Sequence, residues 1–232
     1  MTPYRAPDRH RLIRIVRCVR GQMRFIMECA PRFDYGRQPH ELELTDEGAV
    51  FRTPTLQLTL HGGGRRAIQR DGNDLRGALT VSAGQAGGLV LESAAEGPPR
   101  TTKSEELLES FNHTARFWRS WLGRSTYRGR WREQVDRSAI TLKLLTYAPT
   151  GALVGAPTAG LPELVGGERN WDYRFTWIRD GSFSVHALLG LGFIEEAEAF
   201  MRWLTDRVTE QAGHAKGSGP LKIMYRVDVP PT

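Results

Sequence analysis

The segment from Asn170 to Asp180 concentrates the side chains best suited to chemistry. Aromatic and polar residues alternate along it, and an Arg-Asp pair comes last. Pyranose rings have apolar C–H faces that pack on aromatic rings, whereas their hydroxyl groups need directed donors and acceptors. Arg179 offers a rigid fork of N–H donors and Asp180 a pair of acceptor oxygens, which together suit neighbouring hydroxyls. The pattern therefore indicates a sugar-binding site.

A purely structural interpretation of the same segment is also open. An extended conformation would send the aromatic side chains to one side, as in a short buried strand. Asp180 would then be the N-cap of the next helix, because an aspartate oxygen accepts hydrogen bonds from the free N–H groups there. The pattern alone does not choose between the two interpretations.

The first part of the chain is predicted to be a series of short β-strands. Apolar and polar residues alternate there, and Gly, Pro, Asp and Asn clusters separate the runs. Many short strands at close spacing are typical of a β-sandwich. The predicted strands are Leu12–Val19, Met23–Cys29, Glu41–Thr45, Val50–Thr53, Leu56–Leu60, Ala78–Ala83 and Leu89–Glu92.

The first two strands are predicted to form a hairpin around a turn at Arg20-Gly21. In that register Cys18 would pair with Met23 and Cys29 with Leu12, which leaves the two sulfurs far apart. These are the chain's only two cysteines, and they are expected to be free thiols.

After Gly97-Pro98-Pro99 the apolar spacing becomes helical. Thr102 and Glu105 form a capping-box signature at the start of a linker helix that runs to Leu122. Three further helices are predicted at about Trp131–Tyr147, Ser182–Leu191 and Glu195–Gln211. The last two are expected to form an antiparallel pair, because only a short link around Gly192 separates them.

Composition excludes several classes of function. The net charge is +6, with 32 Lys and Arg against 26 Asp and Glu, but the arginines are dispersed, so no nucleic-acid partner is predicted. The longest apolar run is far shorter than the ~20 residues that cross a bilayer, so no membrane partner is expected and the cytoplasm is the predicted location. The histidines and cysteines are scattered, so we predict no metal site and no cofactor.

The chain resembles glycoside hydrolase family 15, the glucoamylases and bacterial trehalases. The most specific part of the resemblance is Asn170–Arg174 continuing into Trp177–Asp180. Other matching segments are Arg11–Arg14, Glu28–Gly36, Leu144–Gly151, Leu161–Glu163 and Leu221–Tyr225.

The resemblance implies a multidomain β + α fold. Residues 1–98 would be part of an N-terminal β-sandwich, residues 99–130 a linker with a helix, and residues 131–232 the first helices of an (α/α)6 catalytic barrel. Family members remove glucose from terminal α-glucosidic bonds with inversion of the anomeric carbon. Trehalose and malto-oligosaccharides both present such a glucose, so the substrate is an α-glucoside of either kind.

The resemblance also implies roles for individual residues. Arg179 and Asp180 would hold the hydroxyls of the terminal glucose, Trp177 would line the subsite, and Tyr173 would lie near the reacting carbon. Trp171 and Asp172 belong to the same substrate-binding motif, without an assigned role.

The catalytic pair itself is expected outside this chain. In the family the general acid and general base are glutamates on later barrel loops, so they are expected beyond Thr232. The chain would then be truncated at both ends and inactive alone. A pair built from Asp180 and a nearby carboxylate is disfavoured, because Asp180 beside Arg179 should stay ionised. The alternative function is a non-catalytic carbohydrate-binding or structural fragment.

Overall fold

The computed structural model describes residues 10–62, 67–93, 97–158, 160–213 and 221–228. The chain folds into two compact units, Met1–Ala115 and Arg116–Thr232. The three-part division into 1–98, 99–130 and 131–232 stays a prediction.

The described residues of the first unit form two antiparallel sheets. The strands are β1 (Arg11–Arg17), β2 (Gln22–Cys29), β3 (Glu41–Leu44), β4 (Gly48–Arg52), β5 (Gln57–His61), β6 (Ile68–Asp71), β7 (Asp74–Ser82) and β8 (Ala86–Ser93). One sheet has the order β1-β8-β5-β4-β3 and the other the order β2-β7-β6. All of these strand pairs are antiparallel.

Both sheets contribute to one apolar core. Phe51 and Leu60 come from the larger sheet and Ile68 and Leu75 from the smaller one, and all four are buried. Apolar faces on opposite sheets that share a core are the mark of a sandwich. The antiparallel β part of the predicted fold is therefore confirmed.

The predicted hairpin around Arg20-Gly21 is wrong. β1 pairs with β8 and β2 pairs with β7, so the two neighbouring strands belong to different sheets. Both cysteines are free thiols. Burial, followed by the nearby Asp74 carboxylate, raises the pKa of Cys29 to about 11, so this thiol stays protonated and unreactive at neutral pH.

The described residues also contain four α-helices. They are α1 (Ser104–Leu122), α2 (Arg132–Leu144), α3 (Ile178–Gly190) and α4 (Ile194–Gly213), and α1 crosses the division between the units. The capping box is wrong, because the first helical bond runs from Leu107 N to Lys103 O and the Thr102 hydroxyl donates to Gly88 O. Four helices agree with part of a helical domain.

The helices of the second unit pack through aromatic side chains. Trp121 on α1 stacks on Phe193, just before α4, with 3.9 Å between ring centroids. Phe200 and Trp203 on α4 are buried in a second cluster together with Val185 of α3. The predicted antiparallel pairing of α3 and α4 is thus supported by a shared core.

A buried carboxylate joins three of these helices. Glu196 on α4 is 3% exposed, and its Oε1 accepts from Trp121 Nε1 at 2.7 Å and pairs with Lys143 Nζ at 2.9 Å and Arg124 Nη2 at 3.4 Å. Burial opposes ionisation of Glu196, but the hydrogen bonds from Lys143 and Trp121 outweigh it and lower its pKa. The carboxylate is therefore ionised at neutral pH and neutralises two cations.

We expect Glu196→Gln to destabilise the chain by about 1–3 kcal/mol at pH 7, because it removes the charged partner of Lys143, whose side chain is only 27% exposed. Since the folded-state pKa is lowered, this contribution is present above the unfolded value near 4.5 and is lost as the pH falls further. Urea unfolding at pH 7 and pH 3.5 measures both effects.

The neighbouring Glu195→Gln is the matched control for Glu196→Gln. Glu195 is 77% exposed and pairs with Arg124 at 2.8 Å, so its loss should cost only about 0–1 kcal/mol. Equal losses of unfolding free energy in the two variants would contradict the proposed importance of the buried Glu196 carboxylate.

Apolar side chains remain exposed on the helices of the second unit. Of the predicted apolar face of α4, Phe200 is buried, but Met201 and Val208 are exposed. Other exposed apolar residues of this unit are Trp131, Leu144, Phe183, Leu189 and Ile194. Exposed apolar patches promote association.

We therefore expect the purified chain to self-associate. Size-exclusion chromatography with light scattering should show species larger than the 26.1 kDa monomer, and Met201→Lys with Val208→Lys should reduce them. Val19→Lys, at an exposed apolar residue of the first unit, is the control and should not. A clean monomer for the unsubstituted chain would contradict the prediction.

Within the residues that the structure describes, no helix combines the length and apolar character needed to cross a membrane. In the same residues, no group of three or more His, Cys, Asp and Glu side chains could hold a metal ion.

Candidate functional site

The segment that precedes α3 is a turn followed by a very short strand. Tyr173 and Arg174 lie in the turn, and only β9 (Thr176–Trp177) is extended. β9 pairs antiparallel with β10 (Met224–Tyr225). The short buried strand of the structural interpretation therefore covers only Thr176–Trp177, because residues 173 and 174 form a turn.

Asp172 and Arg174 fix this turn. The Asp172 carboxylate accepts from Arg174 N at 2.9 Å, from Nε at 3.0 Å and from Nη2 at 2.6 Å. The Arg174 hydrogen bonds hold the pKa of Asp172 below its usual range against the opposing effect of burial. Asp172 is thus ionised at neutral pH and stabilises the turn. Its carboxylate already binds the guanidinium and the backbone N–H group of Arg174.

An aromatic cluster forms around Trp177, which is buried. Tyr173 stacks on the indole with 5.5 Å between centroids and 21° between planes, and Trp171 meets it edge-on at 5.8 Å. The indole N–H donates to Asp172 O at 3.1 Å, which fixes the orientation of the ring. Three of the four aromatic residues of the motif therefore meet, as a sugar-binding surface requires.

Arg179 and Asp180 lie in the first turn of α3, beside this cluster. Arg179 Nη2 is 3.1 Å from Asp180 Oδ2, and the Arg179 guanidinium carbon is 5.9 Å from the centre of the Trp177 ring. Their side chains are 67% and 36% exposed, so both can reach a ligand. A charged donor–acceptor pair at the edge of an aromatic surface suits a polyhydroxylated ring.

Asp180 is not the helix cap. α3 begins at Ile178, with Trp177 in extended backbone (φ −89°, ψ 125°) at the N-cap position, so Asp180 is the third residue of the helix. An acidic side chain in the first turn is still stabilised by the helix dipole, by about 0.3–1 kcal/mol. The structural interpretation of Asp180 as an N-cap is wrong.

Two close contacts hold the site in place. A Cβ at Gly181 would lie 2.6 Å from the ring of Phe200, so only glycine lets α4 pack directly against the first turn of α3. On the other side, Gly155 N donates to Phe175 O at 3.0 Å and Ala156 N to Tyr173 O at 2.7 Å. The turn is therefore supported from the core and from a neighbouring loop.

Sequence reasoning missed three parts of this arrangement: the role of Arg174, the strand β10 and the loop at Gly155. The Asp-x-Arg spacing at residues 172–174 is a local signal, because an aspartate readily bonds the backbone two residues later. The pairing with Met224–Tyr225 has no such signal, since it joins segments that are far apart in the chain.

The site lies within the part of the chain that matches a protein family. The model of glycosyl hydrolases family 15 matches residues 129–226. The trehalases of Mycolicibacterium smegmatis and Mycobacterium tuberculosis are each 36% identical over 237 residues, which cover 97% of this chain and 34% of the relative. The trehalase of Thermoplasma volcanium is 32% identical over 198 residues, 85% of this chain and 30% of that protein.

The chain combines a two-sheet β unit with a helical unit that carries the aromatic cluster and the Arg179–Asp180 pair. This combination defines a multidomain β + α protein. These matches identify residues 129–226 as a glycosyl hydrolases family 15 segment, and nearly the whole chain is similar to trehalases. It spans about a third of the length of the curated relatives it matches. No solved structure matches the chain.

Proposed function

We propose that the chain is part of a glycoside hydrolase that cleaves the α-glucosidic bond of trehalose. The observation that carries the proposal is the Trp177 cluster with the Arg179–Asp180 pair at its edge. Trehalose is preferred over malto-oligosaccharides because the relatives described above are named trehalases.

In this proposal the helical unit supplies part of a glucose subsite. The apolar face of the terminal glucose lies against Tyr173 and the exposed ring of Trp171, and the buried Trp177 holds both rings in place. Arg179 donates to the sugar hydroxyls and Asp180 accepts from them. Asp172 does not touch the sugar, because its oxygens already bind Arg174. This refines the broader substrate-binding role expected for Asp172.

The reaction proposed is inversion by two carboxyl groups. One protonates the leaving oxygen and the other activates a water molecule, and the two groups stand about 6.5–9.5 Å apart so that the water fits between them. The general acid must hold its proton near neutral pH, which requires a raised pKa. Asp172 has the opposite shift, so we place both catalytic groups outside the described residues, in the rest of a barrel that α2–α4 begin.

The second candidate is a non-catalytic carbohydrate-binding fragment. The lowered pKa of Asp172 favours it for the chain taken alone, since a carboxylate of the motif that is ionised at neutral pH cannot act as the acid. The sugar surface itself is common to both candidates.

An assay of glucose release separates the two candidates. It compares the 232-residue chain with a longer protein in which the rest of a family 15 catalytic barrel is joined to this chain, which we call the extended protein. The hydrolase proposal expects the extended protein to release glucose from trehalose faster than from maltose. If a folded extended protein binds trehalose without hydrolysing it, the non-catalytic candidate is favoured. Faster hydrolysis of maltose than of trehalose would contradict the proposed substrate preference.

A further inference from the structure

The first unit carries a strained turn that the proposed function does not use. After Phe33, three successive residues adopt left-handed backbone: Asp34 (φ 46°), Tyr35 (φ 57°) and Gly36 (φ 83°). Glycine adopts such angles freely, but aspartate and especially tyrosine do so at a cost in conformational energy. Strain of this kind persists only where the surroundings enforce it, and it concentrates at ligand sites.

The surroundings do enforce the turn. Arg37 donates from its backbone N and from Nε to Asp34 O, both at 3.1 Å, and Nη2 pairs with the Asp34 carboxylate at 2.7 Å. Gln38 N donates to Phe33 O at 3.2 Å, and the Phe33 ring is buried in the sandwich core. The conformation of the turn is therefore set before any ligand arrives.

The strained turn leaves an aromatic ring exposed to solvent. Tyr35 is 78% exposed, although a phenol ring gains free energy from burial, and the Arg37 guanidinium lies 5.9 Å from its centre. The same turn borders a groove, an open cavity of about 580 Å³ lined by Phe33, Asp34, Arg37, Gln38, Pro39, Thr55 and Leu56. Arg37 both lines this cavity and lies against the Tyr35 ring, so a charged donor–acceptor pair and an amide adjoin an exposed aromatic face.

We propose that this groove is a second carbohydrate-binding site, with Tyr35 as the platform for one α-glucose ring. The ring stacks on Tyr35, and Arg37, Asp34 and Gln38 bind its hydroxyls, just as the Trp177 cluster combines an aromatic face with an Arg-Asp pair. The sugar class rests on the proposed function. A sugar is preferred to a polypeptide because the charged Asp34–Arg37 pair and the Gln38 amide suit neighbouring hydroxyl groups.

The site is tested by titrating the chain with maltoheptaose, which presents the α-glucose ring repeatedly. All proteins carry Arg179→Ala and Asp180→Ala, which remove the polar groups of the first sugar site, so that the groove in the first unit dominates the signal in isothermal titration calorimetry. Tyr35→Gly should weaken binding by about tenfold or more, because the platform is removed. Tyr35→Phe, which keeps the ring, and Phe111→Ala, at an exposed aromatic residue of the same unit, should bind like the parent.

Tyr35→Gly also separates lost binding from lost folding. Since glycine accepts a φ of 57° without strain, this variant should unfold at the same or a higher temperature than the parent. Absence of maltoheptaose binding by the parent, or unchanged binding by Tyr35→Gly, would overturn the proposal. Unchanged sugar binding with reduced self-association would identify the turn as a protein contact instead. The result does not depend on hydrolysis, so it is distinct from failure of the proposed function.

Discussion

In the extended protein, Asp180→Asn should lower kcat/KM for trehalose by about 10- to 1000-fold, because hydrogen bonds to a charged group are worth about 1.5–3 kcal/mol each. Asp180 is 36% exposed and pairs with Arg179, which lies against the Trp177 ring, so its remaining lone pairs can accept from sugar hydroxyls. The substitution keeps the shape of the side chain and removes its charge.

Most of this loss should fall on the turnover rate. The glucose ring flattens as the glycosidic bond breaks, and its hydroxyls then come into the register that the fixed Arg179–Asp180 pair demands. Interactions that strengthen in the transition state raise kcat, whereas those equal in both states change only KM. Steady-state kinetics with trehalose at saturating and limiting concentrations separate the two parameters.

The control is Glu195→Gln in the same protein. Glu195, like Asp180, is an acidic residue in the first turn of its helix, so the loss of a helix-dipole interaction is matched. If Asp180 only stabilises α3, both variants should lose about 0.3–1 kcal/mol of stability and keep near-normal kinetics. Full activity of a folded Asp180→Asn protein would rule out the sugar-binding role.

Several parts of the fold could be predicted from the sequence because their signals are local. The alternation from Met23 to Cys29 predicts β2, where Phe25, Met27 and Cys29 are partly buried and the intervening residues are exposed. The helical spacing likewise predicts α2 and α4 to within a few residues. In each case one face of the element is apolar, and burial of that face decides the structure.

Other parts depend on contacts between distant segments and have no local signal. β6 (Ile68–Asp71) was missed because only Ile68 is apolar, and the strand forms by pairing with β7. The hairpin around Arg20-Gly21 was predicted wrongly for the same reason. A turn sequence shows where the chain bends, but it does not show which strand becomes the partner.

The candidate site shows the same division between local and distant signals. The residue types at 171–180 predicted an aromatic surface with an Arg-Asp pair, and the structure brings Tyr173, Trp177 and Arg179 together. The start of α3 was misplaced because its first residue is held from afar, by the bond from Ile178 N to Ile223 O. Propensity alone gives no reason for a helix to begin at an Ile after a Trp.

The largest effect is expected for the 232-residue chain by itself, which should release no glucose from trehalose, maltose or longer α-glucans. General acid and general base catalysis each contribute about 10²–10⁴-fold, and the chain should lack both. A general acid needs a raised pKa. Among the described residues, every carboxyl group with a resolved pKa shift is shifted downward instead: Asp74, Glu106, Asp172, Glu196 and Asp228.

The lowered pKa values of Asp172 and Glu196 have clear physical causes. Hydrogen bonds from Arg174 keep Asp172 ionised, and those from Lys143 and Trp121 keep Glu196 ionised although it is buried. Neither carboxyl group can protonate a leaving oxygen at neutral pH, and neither is free to activate water. We therefore expect the chain to hold a sugar without cleaving it.

A coupled glucose assay on the purified chain, run beside the extended protein and a mock purification, measures this expectation. The same chain with Asp180→Asn identifies the source of any residual signal. Sustained glucose release that exceeds the mock preparation and falls in the Asp180→Asn chain would show that the described residues contain a complete catalytic pair. In that case we would look for the acid and the base among the exposed carboxylates near the motif, Glu163 and Glu168 first.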